Sequence, residues 1–140
     1  GEQQSKMWTY FNIVSDGMTC RCGCGFGSQK EHFSPILMER LDLLRELLGP
    51  LRVTSAARCV AHNESINGED HSAHLPDERG QCRAVDLALN GGSVGRKRFV
   101  LQANSIGFRR IGIGKGFIHV DVASDLTHPE GWWVYGDNRG

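Results

Sequence analysis

Two short apolar stretches decide the fold of this chain. Residues 84–89 read Ala-Val-Asp-Leu-Ala-Leu, and residues 117–122 read Phe-Ile-His-Val-Asp-Val. Valine, isoleucine and phenylalanine favour strands, and an Asn-Gly-Gly sequence ends the first stretch. Each stretch also carries polar groups in an otherwise apolar setting, namely Asp86 in the first, and His119 and Asp121 in the second. We therefore predict two strands that present site residues.

A third polar residue joins this set. His74 ends the sequence Ser-Ala-His at 72–74, and imidazole nitrogens together with a carboxylate are ligands that suit zinc. Three protein ligands (His74, Asp86 and His119) would leave a fourth position for water, as catalytic zinc sites require. A mononuclear zinc hydrolase is the working hypothesis. The residues alone also fit a domain in which the histidines are incidental and the carboxylates structural.

The other predicted elements surround these two strands. Ser34 as N-cap and Pro35 in the first turn begin a helix with leucines at three- and four-residue steps, and Gly49 ends it. The remaining predictions are a strand at 51–55, a long polar loop at 60–82, a helix from 93 to about 106, a strand at 109–113 in a hairpin with 117–122, and an edge strand at 132–135. This order predicts an α+β fold, a small antiparallel sheet with flanking helices. We assign the leucines to the core. For the tryptophans at 132 and 133 we favour the core over the alternative that they wall the cleft.

Length and charge narrow the class of protein. A chain of 140 residues fits one domain over 1–140, in which residues 1–30 form a Cys- and Gly-rich N-terminal arm packed on the rest. The formal net charge of zero argues against a nucleic-acid binder, which normally shows a basic excess. We find no apolar run of membrane-spanning length and no signal-like opening segment. We expect a monomer without nucleic-acid partners and without a membrane span.

Five cysteines allow two interpretations. Cys20, Cys22 and Cys24 form a C-x-C-x-C run, whereas Cys59 and Cys82 stand apart. A second zinc site is one interpretation, but the run lacks the two-residue spacing of common zinc knuckles. Disulfides are the interpretation that we favour, and they would imply an oxidising compartment. We predict that one of the three arm cysteines pairs with Cys59 or Cys82, and the odd number leaves at least one thiol free or paired between molecules.

Five short motifs along the chain belong together: Thr-Ser-Ala-Ala-Arg-Cys at 54–59, His-Asn at 62–63, Ser-Ala-His at 72–74, Ala-Val-Asp at 84–86 and Phe-Ile-His-Val-Asp at 117–121. In combination they resemble the zinc D-Ala-D-Ala carboxypeptidase family, cell-wall peptidases that share a fold with the Hedgehog signalling domain. The resemblance implies a Hedgehog/DD-peptidase-like fold. It also implies a zinc peptidase acting on D-amino-acid-containing stem peptides of bacterial peptidoglycan, as a D,D-carboxypeptidase or an endopeptidase. Such an enzyme would be periplasmic, extracellular or phage-encoded.

The same resemblance assigns roles to individual residues. It implies that His74, Asp86 and His119 hold Zn²⁺ and that Arg58 contacts the substrate near the scissile bond. A guanidinium offers a planar fork for a carboxylate or a developing oxyanion, which supports a catalytic role for Arg58. Asn63 and Ser72 are expected to contact the substrate or to support the ligands.

The chain departs from the family pattern between its first two ligands. His74 and Asp86 are farther apart than the seven-residue spacing of the family, and we interpret residues 75–83 as an insertion in a surface loop. His71 is a rival first ligand, although Ser72 and His74 match the motif better.

The second departure concerns the general base. Gly116 stands where well-known family members carry a carboxylate, three residues before the third ligand. Asp121 is the nearest acidic replacement, and side chains two apart on a strand share a face with one another. We predict that Asp121 is the base; the alternative is that it accepts the other ring N–H of His119 and orients that ligand. If Asp121 has neither role, the base would come from the 60–82 loop, such as Glu64 or Glu69. The missing carboxylate also keeps open a non-catalytic zinc-binding recognition module of the same fold.

Overall fold

Three α-helices and five strands make up the fold of the residues that the structure describes. The computed structural model of the protein describes residues 8–89 and 92–136. The helices are α1 (Pro35–Leu48), α2 (Val60–Ser65) and α3 (Gly92–Ser105), with a 3₁₀ turn at Lys30–His32. The strands are β1 (Val53–Ser55), β2 (Ala84–Ala88), β3 (Arg110–Ile113), β4 (Phe117–Asp121) and β5 (Gly131–Val134). All five predicted strands are present, and no described helix combines the length and apolar character that crossing a membrane requires.

The strands form one mixed sheet in the order β1-β2-β4-β3-β5. The pairs β1–β2, β2–β4 and β4–β3 are antiparallel, but β5 runs parallel to β3. The α+β class is confirmed, whereas the purely antiparallel sheet was wrong at its last strand. A tight turn joins only antiparallel neighbours, whereas a longer connection can carry the chain from the end of β4 past the start of β3 to its far side. Residues 122–130 form that connection, and β5 therefore enters beside β3 in the same direction.

The two faces of the sheet differ in chemistry, because alternate residues of a strand point to opposite sides. One face is apolar and fully buried, and it carries Val85, Leu87, Ile111, Ile118 and Val120. This face belongs to the same hydrophobic core as residues of α1 and α3. The other face carries one row of residues paired in register across four strands: Asp86, His119, Gly112 and Trp133. The sheet thus separates the core from a polar face.

Helix α1 forms as its sequence predicts. The hydroxyl of Ser34 accepts a hydrogen bond from the backbone N–H of Leu37 at 3.4 Å, and Gly49 ends the helix with a φ of 85°. A positive φ of this kind is what glycine tolerates at a helix end. Fewer of the apolar residues of α1 are buried than their spacing predicts, since Ile36 and Leu47 are 52% and 45% exposed.

Helix α2 lies within the segment predicted as loop. Its N-cap is Cys59, whose sulfur accepts a hydrogen bond from the backbone N–H of His62. Cysteine is not among the usual N-cap residues, and six residues are too few to show a helical period. The predicted insertion does form an exposed turn, in which the Asp77 carboxylate accepts the N–H groups of Arg79 and Gln81.

The N-terminal arm packs on α1 and on the segment that follows β1. Phe11, Met18 and Cys20 are buried, and Met18 accepts a backbone hydrogen bond from Ala57. The carboxylate of Asp42 in α1 accepts the backbone N–H groups of residues 9 and 10. Residues 1–7 of the predicted arm lie outside the described residues.

Candidate metal centre

The three predicted metal ligands meet on the polar face of the sheet. Asp86 of β2 and His119 of β4 are direct partners across the antiparallel pair. His74 reaches them from the preceding loop, where its backbone N–H donates to the Ser72 hydroxyl and its carbonyl accepts from Arg58 N–H. All three side chains are buried. Two ligands therefore lie on central strands, and the third is fixed through its own backbone.

Distances within this triad suit a single ion. His74 Nε2 lies 3.1 Å from Asp86 Oδ1, and His119 Nδ1 lies 2.9 Å from the same oxygen. One ligand atom from each residue falls within 4.8 Å of the others. Zinc bonds to nitrogen and oxygen are about 2.0–2.2 Å long, so neighbouring ligand atoms in a tetrahedral site are about 3.3 Å apart. The three atoms are thus close to the spacing that one zinc ion requires.

The outer nitrogen of each histidine has a partner that fixes the ring. His74 Nδ1 donates to the Ala56 carbonyl at 2.6 Å, and His119 Nε2 donates to Asp121 Oδ2 at 2.6 Å. Because a carbonyl only accepts, the proton of a neutral His74 resides on Nδ1, and Nε2 presents a lone pair to the carboxylate of Asp86. Two acceptors facing each other call for a cation between them. The donor set therefore fits a metal ion.

The charges of the metal-free triad are set by the same contacts. Burial lowers the pKa of His74, which favours the neutral ligand form. Burial also acts against the charge of Asp86, but the two histidines outweigh it and hold the pKa of that carboxyl well below its usual range. For His119, burial is outweighed by hydrogen bonds to Asp121 and Asp86, which raise its pKa to about 9. A metal ion would therefore displace a proton from His119.

A family comparison agrees with this geometry. The family model described as peptidase M15 matches residues 11–121. The chain belongs to the peptidase M15 family. This is the zinc D-Ala-D-Ala carboxypeptidase family, so the resemblance predicted from the motifs is confirmed. M15 peptidases are zinc-dependent, and His74, Asp86 and His119 are the candidate metal ligands of this member. No curated protein matches the chain.

Asp121 lies behind the third ligand of this M15 site. Its Oδ2 accepts from His119 Nε2, and its Oδ1 accepts from Arg110 Nε at 2.7 Å and from the backbone N–H of Ala123. Although burial would raise it, His119 and Arg110 hold the pKa of Asp121 below its ordinary value. Both carboxylate oxygens are thus engaged on the side of the ring away from Asp86. These contacts fit the orienting role that we gave as the alternative; Asp121 also lines the cleft beside His119, so the base role stays a prediction.

Three further predicted residues surround the triad. Arg58 is only 4% exposed, and its Nε has no hydrogen-bond partner among the described residues. Burial lowers the pKa of Arg58, and the nearby charge of Asp86 acts against that shift. Asn63 is also buried, and its amide donates to the carbonyl of Glu69 and so holds the loop. Ser72 lines the cleft beside His119.

The side chains of Trp133 in β5 and of Tyr135 just after it wall the cleft. For Trp133 this is the alternative that the sequence left open, whereas the role of Tyr135 was not predicted. Trp133 and Tyr135 place their rings 5.5 Å and 6.2 Å from the His119 ring. They cover Gly112, where an added Cβ would lie within 2.7 Å of both rings. The assignment of both tryptophans to the core was wrong, since Trp132 is 52% exposed. The available signal was a glycine inside a strand pattern, which marks a close approach of other groups.

Two other histidines and two acidic residues complete this region. His71, the rival first ligand, is exposed, and its carbonyl accepts a hydrogen bond from His128 Nε2. It lies outside the triad that the structure brings together. Glu69 and Asp70 line the same cleft as His119 and Tyr135.

The predicted disulfide is not formed. All five cysteines lie in the described residues and all are free. The sulfur of Cys22 lies 3.5 Å from those of Cys20 and Cys59, far beyond the bond length of about 2.05 Å. Cys82 is buried apart from this group, and its thiol donates to the Ala84 carbonyl. The prediction correctly put the arm cysteines beside Cys59 but was wrong about the bond.

Proposed function

We propose that this M15 peptidase cleaves D-amino-acid-containing stem peptides of bacterial peptidoglycan, as a D,D-carboxypeptidase or an endopeptidase. The observation that carries the proposal is the buried triad of His74, Asp86 and His119 beside an aromatic-walled cleft. Family membership supports peptidase chemistry. Because the substrate is the cell wall, the protein would act in the periplasm, outside the cell or as a phage product.

Each residue of the triad has one task in this proposal. Zinc, when bound there, acidifies water and polarises a peptide carbonyl. His74 and His119 present fixed nitrogens because Ala56 and Asp121 hold their other ring atoms. Asp86 supplies the anionic ligand. We therefore give Asp121 a positioning role, through His119.

Arg58 would stabilise negative charge next to this triad. Its guanidinium is buried and acts electrostatically on Asp86 and Tyr135. A buried charged donor with an unpartnered Nε is suited to an oxyanion or a substrate carboxylate. Turnover would then require Arg58, whereas metal binding would not.

The general base in this proposal is Glu69. Gly116 carries no carboxylate, and both oxygens of Asp121 are engaged. Glu69 lies on the wall of the cleft that also includes His119 and Tyr135. It would take the proton of the attacking water on a carboxylate oxygen and later deliver it to the leaving amine.

A matched pair of variants tests the base. Glu69→Gln should lower kcat by roughly 100-fold or more with unchanged zinc content. Asp70→Asn, which removes the neighbouring exposed carboxylate of the same cleft, should have a far smaller effect. Equal activity in the two variants would rule out Glu69 as the base.

Digestion of purified peptidoglycan tests the function as a whole. The protein should release muropeptide fragments or free D-alanine, lose this activity with a chelator and regain it with zinc. Mass analysis of the products would identify the bond that is cut. Asp86→Ala serves as the inactive control, because it lacks the anionic ligand.

One observation favours a second function, a zinc-binding recognition module. Gly116 occupies the position of the family carboxylate, in open space at the turn before β4. A recognition module would bind peptidoglycan sacculi in a zinc-dependent way and would leave every fragment mass unchanged. Cosedimentation followed by mass analysis of the same sample separates the two functions.

A further inference from the structure

We propose that Cys20, Cys22, Cys24 and Cys59 form a second metal site, which binds one structural zinc ion. This site is separate from the peptidase triad, and none of its ligands is shared with it. The four sulfurs lie within 4.8 Å of one another. Three come from the N-terminal arm, and the fourth comes from the residue that follows Arg58 in the chain.

The spacing of the sulfurs fits one ion. Cys22 Sγ lies 3.5 Å from Cys20 Sγ and 3.5 Å from Cys59 Sγ. Four thiolates around one zinc at about 2.3 Å place neighbouring sulfurs about 3.8 Å apart. A disulfide would need far shorter contacts, and an iron–sulfur cluster, which divides its cysteines among two or four irons, would need longer distances between cysteines on different irons. The observed spacing therefore favours a mononuclear tetrahedral site.

The arm folds into a compact loop that turns its cysteines toward one point. Cys20 N–H donates to the Phe26 carbonyl at 2.9 Å and closes the loop, while Gly23 N–H donates back to the Cys20 carbonyl at 3.3 Å. Gly23 and Gly25 have φ values of 84° and 95°, which L side chains rarely adopt. These changes of chain direction at Gly23 and Gly25 bring cysteines two apart in sequence much closer together than a strand would allow. C-x-C-x-C can thus bind metal here without the usual two-residue spacing.

Backbone amides donate to the sulfurs, as they do around metal-bound thiolates. Cys59 N–H donates to Cys20 Sγ at 3.4 Å, and His62 N–H donates to Cys59 Sγ at 3.4 Å. Such hydrogen bonds stabilise sulfur in its charged form and fix its direction. Both originate in α2 or at its N-cap. The peptide chain around the cluster is therefore arranged for thiolates.

The ion would fasten the arm to the segment that supports the peptidase site. Ala57 N–H donates to the Met18 carbonyl, and an added Cβ on Gly27 would lie 2.4 Å from that of Ala57. The carbonyl of Ala56, one residue before Ala57, accepts the hydrogen bond of His74 Nδ1–H, and Arg58 is one residue after. A zinc ion at the cluster would thus hold residues 56–59, which contact or flank the triad, against the N-terminal arm.

Metal content of purified variants tests the site. Wild-type protein prepared under reducing conditions should contain about two zinc ions per chain, and Cys24→Ser and Cys22→Ser should each contain about one. Cys82→Ser is the matched control, because this thiol lies outside the cluster, and it should keep both ions. His74→Ala should lose the other ion and keep the one at the cysteines. If the wild type contained one zinc ion and Cys24→Ser still contained it, the proposal would be overturned. Iron in place of the second zinc ion would also overturn it.

A second measurement needs only wild-type protein, so it remains decisive if a cysteine variant fails to fold. A mercurial thiol reagent is added stepwise while a chromophoric indicator reports free zinc. One zinc ion should be released as about four thiols react, because the triad contains no sulfur ligand. Replacement of zinc by cobalt in the wild-type protein should also give thiolate-to-cobalt charge-transfer bands, which the triad without sulfur ligands cannot produce. Thiol modification without zinc release, or a disulfide among the four cysteines by mass, would refute the site.

Discussion

The triad and the cysteine cluster are two ligand sets built by opposite means. The triad has two of its three residues on central strands, is buried, and has a second partner on each histidine. The cysteine cluster lies mostly in a glycine-rich loop, where Cys22 and Cys24 are exposed. A site on strands is held in shape by the core even without metal, whereas a loop site depends on its ion for order. The first arrangement suits catalysis, and the second suits a structural clamp.

The largest effect that we expect is from loss of a triad ligand, which tests whether the triad and the cysteine cluster bind separate ions. His119→Ala or Asp86→Ala should remove about one zinc per chain and abolish peptidoglycan turnover, because neither leaves a complete open site. The ion at the cysteines should remain. Metal analysis together with a turnover assay checks both statements, with His71→Ala as the control outside the triad. Full zinc content in both ligand variants would contradict the assignment.

Arg58 tests whether the two regions act independently, because it lies between them, near both Asp86 and Cys20. Arg58→Ala should keep both ions and lower turnover by about 100- to 1000-fold, as expected for loss of an oxyanion-type donor. Arg58→Lys should recover little, since an ammonium lacks the planar fork. Steady-state kinetics and metal analysis separate the outcomes, and turnover near the wild-type value would exclude this role.

The role of Asp121 can be tested through the zinc affinity of the triad. Asp121→Asn should weaken zinc binding at the triad by about 10- to 100-fold, because His119 loses the carboxylate that orients it. Competition with a chromophoric chelator measures this affinity. At saturating zinc, turnover should largely return. Unchanged zinc affinity with a persistent loss of kcat would instead support the general-base role predicted from the sequence.

The smallest effect that we expect is the release of a proton when zinc binds at the triad. With a pKa of about 9, metal-free His119 is protonated at pH 7, whereas Asp86 is ionised. Zinc binding at the triad should therefore release about one proton at pH 7, and affinity should rise with pH until about pH 9. Calorimetry of the Cys24→Ser variant in two buffers of different ionisation enthalpy isolates this site. Binding without proton release would show that His119 is neutral in the metal-free protein.

Much of the fold was predictable because its signals are local. Helix α1 has a serine cap, a first-turn proline and a terminal glycine, each of which acts within a few residues. The strands that carry Asp86 and His119 were predicted from apolar stretches, and the Gly-Lys-Gly turn at 114–116 predicted the hairpin of β3 and β4. Helix α2 was missed because a cysteine sulfur caps it, and β5 was given the wrong direction because its partner depends on a connection without regular structure.

The sequence by itself determined the family, the α+β class and the candidate metal ligands, since these follow from motifs and short periodic patterns. Only the tertiary structure decided that Asp121 lies behind His119, that Trp133 and Tyr135 wall the cleft, and that four cysteines meet without a disulfide. Each of these depends on which atoms of distant segments come together. Spacing along the chain indicates which residues share a face, but not which ring nitrogen or sulfur lies within bonding distance of another group.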